Sequence, residues 1–139
     1  MPMSAEAWAA RQLFQWLDPV STESRNHQPF QDALKKASAT QMKGLSRVAN
    51  EAEVAEQVTT LVRYQMGRVK EPVPAVVGGR IIDEIVKIQR DVAKELGDDA
   101  SREDRDLLEM QRVRALLGQI VRWHAILARE VEGGAHAKR

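Results

Sequence analysis

The chain has 139 residues, a length that suits one domain with a single hydrophobic core. It has no cysteine, which excludes disulfides, thiol catalysis and cysteine-ligated zinc, and 43% hydrophobic residues suffice for a core. Net charge is +1, so any nucleic-acid role rests on where the charges sit and not on their sum. No run approaches the roughly 18 apolar residues of a membrane span, and no basic-then-apolar leader precedes a cleavage site. A cytoplasmic protein without membrane contact is expected.

Ser4 to Leu17 reads as a first helix, capped by Ser4 and stopped by Asp18-Pro19. Trp8, Leu13, Phe14, Trp16 and Leu17 give it an aromatic-rich face, suited to core packing or to holding a partner. Val20 to Gln28 is polar and aperiodic and reads as a loop carrying His27. Pro29 then opens a short helix, Phe30 to Ala37, ending in Lys35-Lys36. Ser38-Ala39-Thr40-Gln41 has capping-box spacing and opens a helix to about Asn50, with Met42, Leu45, Val48 and Ala49 inward. Lys43 and Arg47 share one side of it, and Gly44 keeps the surface beside them low. From Ala33 to Asn50 there are four cations and no carboxylate, the least compensated charge cluster in the chain.

Glu51 to Val69 predicts a fourth helix, with Val54, Val58, Leu61, Val62 and Val69 inward. Its early acids and late cations suit the helix dipole, yet from Gln57 to Lys70 there are three cations, Arg63, Arg68 and Lys70, and no acid. Glu71-Pro72-Val73-Pro74 breaks the helix. A fifth helix runs from about Gly78-Gly79 to Leu96, with Ile81, Ile82, Ile85, Ile88, Val92 and Leu96 on its core face. Arg80, Lys87 and Lys94 alternate with Asp83, Glu84 and Asp91, the pattern of a solvated face laced with ion pairs.

Ser101 to Glu132 is the long last helix. Met110, Val113, Leu117, Ile120, His124, Leu127 and Val131 form a seam at alternating spacings of three and four, widened by Leu108, Leu116, Trp123 and Ile126. Ser101 is its cap and Gly133-Gly134 its stop. The whole reads as an all-α fold, a compact bundle of five to six helices along a long C-terminal helix. Residues 1–139 form a single helical domain, with N-terminal helices over 1–37, a helical core over 38–132 and a flexible tail over 133–139.

Little in the chain points to catalysis. His27, His124 and His136 fall in a loop, the apolar seam and the tail, none with a second ligand at metal-binding spacing. His124 reads as a core or interface histidine beside Trp123. Gly78-Gly79 lacks the Lys-Ser/Thr and preceding strand of a phosphate loop, and no carboxylate pair is set in an apolar surround. No cofactor, metal or catalytic residue is expected. Helix-borne cations hold phosphates in register without reading sequence, which leaves an anion-binding surface of Lys43, Arg47, Arg63 and Arg68, extended by Lys35 and Lys36. The rival reading is a helical protein–protein adapter or chaperone with no nucleic-acid role.

Three stretches resemble the small subunit of type III CRISPR effector complexes, the Csm type. Thr40-Gln41-Met42-Lys43 is similar to that family's Thr/Ser-Gln-Leu-Arg helix opening. Leu61-Val62-Arg63-Tyr64-Gln65-Met66-Gly67-Arg68 resembles its Leu-Ala-Tyr-x-x-x-Arg segment. Ile120-Val121-Arg122-Trp123-His124 resembles its apolar pair followed by an aromatic and His-Lys. The resemblance covers about residues 38 to 130. Lys43 stands for the family's arginine, Trp123 for its tyrosine and Ala125 for its lysine, so a phosphate contact at 125 is lost or moved; Arg63 or Arg122 would compensate. The resemblance implies a non-catalytic subunit present in several copies. It would bind guide RNA and target RNA by their backbones and bridge the backbone subunits to the large signalling subunit.

Overall fold

Serine hydroxyls, proline breaks and glycine turns divide the chain into helices, and the structure, a computed structural model, describes residues 3–17, 24–70 and 72–137, with side chains described for 3–12, 29–70 and 72–129. Six helices and no strand occur among the described residues: α1 (Ala5–Leu17), α2 (Ser24–Lys36), α3 (Ala39–Glu51), α4 (Ala55–Met66), α5 (Ala75–Leu96) and α6 (Arg102–Ala137). The protein is an all-α bundle with a long C-terminal helix. At 1.5 Å per residue α6 is about 54 Å long. It touches each of the other five helices.

Three serines do the capping that their spacing predicts. Ser4 Oγ accepts from the Ala7 amide at 3.2 Å, Ser38 Oγ from Gln41 at 3.4 Å and Ser101 Oγ from Asp104 at 3.1 Å. Each satisfies one of the amides that a first turn leaves without a helical partner. Inward positions follow the predicted faces: Met42, Leu45 and Ala49 on α3, Val58 and Val62 on α4, and Ile81, Ile85, Ile88 and Val92 on α5 are all buried. On α6 the buried seam is Met110, Val113, Leu116, Leu117, Ile120, His124 and Leu127. Val131, Leu13, Phe14, Trp16, Leu17, His27 and His136 lie outside the described side chains.

Several boundaries and faces differ from the sequence reading. Helix α2 starts at Ser24, so the second half of the expected loop is helical and Pro29 sits inside the helix; residues 18–23 are outside the described set. A proline there removes one backbone bond, while Phe30 and Leu34 bury the inward face that follows. Helix α4 is shorter than predicted. The chain breaks at Ala52, and Gln57 Oε1 accepts from the amides of Glu53 and Val54, at 2.8 and 3.2 Å, to start α4 anew. At the other end α4 stops at Gly67, and Val69, expected inward, is fully exposed. Val73 takes the core seat instead, buried and tied back by its amide to the Gln65 carbonyl at 3.0 Å.

Helix α5 begins directly after Pro74, ahead of Gly78, and its last residue Leu96, expected in the core, is exposed. Gly97 follows at φ 78°, a conformation costly for residues with a Cβ, and turns the chain into α6. Ile126 is also exposed and does not widen the seam. Gly133-Gly134 does not end α6, which continues to Ala137: a glycine costs a helix only about 1 kcal/mol unless it leaves helical geometry.

Two arginines and a histidine lock the bundle around α6. Arg114 donates from Nε to the Ala49 carbonyl at 3.0 Å and from Nη2 to Ala52 at 2.8 Å. His124 meets the Ala37 carbonyl at 2.7 Å. Position 114 therefore pairs with the end of α3, and 124 with Ala37, two residues before its start, so α3 and α6 run antiparallel. On another side, Arg112 pairs with Glu95 of α5 at 2.8 Å and lies 5.8 Å from the centre of the Trp8 ring of α1.

Candidate functional site

The core-facing residues of α3 leave Thr40, Lys43, Arg47 and Asn50 outward, spaced by three and four. Thr40, Lys43, Gly44 and Arg47 line a shallow depression of about 390 Å³. A Cβ built at Gly44 meets nothing within 4 Å, so the surface beside the two cations is open. Lys43 and Arg47 are exposed and join no ion pair among the described residues, unlike Arg102, which pairs with Glu56 and Asp106, and Arg112, which pairs with Glu95. Long-stemmed cations without a carboxylate, held one turn apart on a clamped helix, are available to an anion.

The other predicted cations stand around this pair. Lys35 and Lys36 are exposed at the end of α2, close before α3 in sequence. Arg63 is exposed on α4, on the side that it shares with Glu56 seven residues earlier. Glu56 itself accepts from Gln89 of α5 at 3.2 Å and from Arg102 of α6 at 3.0 Å, so that side of α4 adjoins α5 and the start of α6. Arg68 lies beyond α4 and is exposed, with Nη1 donating to Gln65 Oε1 at 3.3 Å. No α4 residue lines the depression on α3. The structure thus joins Lys43 to Arg47 and places Arg63 and Arg68 outside their depression.

Arg122 belongs to a larger cleft of about 730 Å³ between α1, α3 and α6. Ser46 and Asn50 form its α3 wall, and Arg114, Gly118 and Arg122 lie one turn apart along α6. Because α3 and α6 are antiparallel, Arg122, two residues before His124, sits level with the early turns of α3, where Lys43 stands. Glu6 of α1 is the one carboxylate on the lining among the described residues. Sequence reasoning missed Arg114 altogether; its four-residue spacing from Gly118 and Arg122 was the available signal.

The buried carboxylates are elsewhere. Glu84 on α5 and Glu109 on α6 are each about 5% exposed, and neither lines these two clefts. Burial pushes both above the usual carboxylate range; for Glu109 a hydrogen bond from Gln89 pulls the other way, and Asp106 and Glu56 add to the rise. No cluster of three or more potential metal ligands occurs among the described residues. No described helix is long and apolar enough to cross a membrane. No protein-family model, curated protein or solved structure matches the chain.

Proposed function

We propose that this protein is a non-catalytic helical subunit that holds an RNA strand by its phosphates. The observation that carries the reading is the Lys43–Arg47 pair: two exposed cations without a carboxylate partner among the described residues, one turn apart on a helix tied to α6 at its end and just ahead of its N-cap. Contacts of this kind supply affinity without sequence readout, as a strand-lining subunit requires. The assembly that fits is a type III CRISPR effector complex, whose small subunit the three motifs resemble. There the chain would line the guide RNA–target RNA channel in several copies and bridge the backbone subunits to the large signalling subunit. Its near-neutral total charge suits a surface that mostly meets other proteins.

The test is binding of single-stranded and guide-paired RNA across a salt series. Affinity is expected to fall steeply as salt rises, and Lys43→Glu and Arg47→Glu each to weaken it with an unchanged thermal melt. If both variants bind as the parent does, the surface is misassigned. Binding to protein alone, insensitive to salt, would favour an adapter role. Recovery of guide RNA and large CRISPR subunits with the tagged chain tests the assembly.

A further inference from the structure

The cleft between α1, α3 and α6 has a chemistry that backbone binding alone does not require. A channel for phosphates needs cations and N–H donors. Here the walls also carry Ser46, Asn50, Gln111 and Gln119, whose hydroxyl and amide groups both donate and accept. Such groups match a ligand edge that itself mixes donors and acceptors, as the edge of a nucleobase does.

The two arginines differ in a way that suits one ligand with two ends. Arg114 is half-buried, and its fork is oriented by the carbonyls of Ala49 and Ala52. Arg114 lines the cleft, and its Nη1 carries no hydrogen bond among those described. Arg122 is exposed and supplies the cation at the other end, while Glu6 of α1 is the carboxylate on the lining. Between the two arginines Gly118 leaves the floor low: a Cβ there meets no atom within 4 Å. Guanidinium planes stack on bases, and small floor residues admit a flat ring.

We infer that this cleft receives one unstacked nucleotide of the bound strand, with its base edge read by Asn50 and Gln119 and its phosphate directed at Arg122. The inference rests on the proposed RNA reading and adds a base-dependent part to it.

The test compares fluorescence anisotropy of an oligouridylate with a strand of equal length in which the bases are replaced by abasic units, at one ionic strength. The parent is expected to bind the base-bearing strand about tenfold more tightly, the scale of one base contact. Gly118→Trp, whose side chain enters the open floor, is expected to bring the two strands to the same affinity. Asn50→Ala with Gln119→Ala should do so without added bulk, which serves if the tryptophan variant does not fold. Lys43→Glu should weaken both strands by the same factor. Equal affinity of the parent for the two strands, or a base preference that survives both cleft variants, overturns the nucleotide site while leaving backbone binding in place. Absence of salt-sensitive binding to either strand overturns the RNA reading itself, and the nucleotide site with it.

Discussion

His124 Nε2 lies 2.7 Å from the carbonyl of Ala37, so a side chain in the middle of α6 closes the end of α2 at the point where α3 begins. The imidazole is buried, and the carbonyl can only accept, so Nε2 carries the proton. Terminal helix carbonyls lack intrahelical partners and bear partial negative charge, which makes a donor there favourable. His124→Leu keeps apolar bulk but leaves the carbonyl without its donor. A loss of about 1–3 kcal/mol is expected, read from the midpoint of chemical unfolding.

Glu84 has a buried Oε1 with no hydrogen-bond partner among the described residues. Burial is the main cause of its raised pKa; Lys87 and Arg80 pull it down and Asp91 adds to the rise. A carboxyl with a folded-state pKa above its unfolded value holds its proton more tightly in the folded protein. Its contribution is therefore fully present below the ordinary value of 4.5 and is lost as pH rises through the raised value. Glu84→Gln is expected to be more stable than the parent at neutral pH, by on the order of 1 kcal/mol. The advantage should disappear on acidification. Thermal melts of both proteins across that pH range check the sign.

Gly78 and Gly79 are neighbours with opposite surroundings. A methyl at Gly78 would overlap the Met66 thioether on α4, whereas one at Gly79 meets nothing within 4 Å. Gly78→Ala is expected to cost about 1–3 kcal/mol as Met66 is displaced. Gly79→Ala, inside the same helix, should stabilise by up to about 1 kcal/mol through helix propensity. Equal effects in a denaturation series would contradict the close approach of α4 to α5 at this point.

Arg112 ties three helices, from α6 to Glu95 on α5 and to the Trp8 ring on α1. The Glu95 carboxyl is held below the usual carboxylate range, chiefly by its hydrogen bond from Arg112. Glu95 is largely solvated, so the ion pair is worth little in total stability. The local effect is larger: Arg112→Ala should loosen α1, seen as faster amide exchange over residues 5–12 with exchange in α5 unchanged.

Local patterns were legible in the sequence, and distant ones were not. Ser4, Ser38 and Ser101 cap amides three residues on, a relation within one turn of chain. The α6 seam was legible because burial on a helix repeats at its own period. Val69 misled because the stop at Gly67 was read through to Pro72, while the core seat went to Val73 through a bond back to Gln65. Pro29 misled because a proline favours a helix start, and the packing of Phe30 and Leu34 overrode that preference. Lys43 and Arg47 could be paired from spacing alone. The partners of Arg114 stand 65 and 62 residues away, so its place on the cleft required the fold. The same holds for Arg63, whose separation from the α3 depression depends on how α4 meets α5.

The fastening of α3 at both of its ends has a thermodynamic consequence. A backbone tied in this way has little freedom left to lose when a ligand arrives, so association would order the exposed Lys43 and Arg47 side chains without a disorder-to-order transition of the helix. If the ligand is the proposed RNA strand, the heat-capacity change on complex formation should accordingly be small and come from that strand. Residence time would then follow from counterion rebinding, with no contribution from unfolding of the receptor.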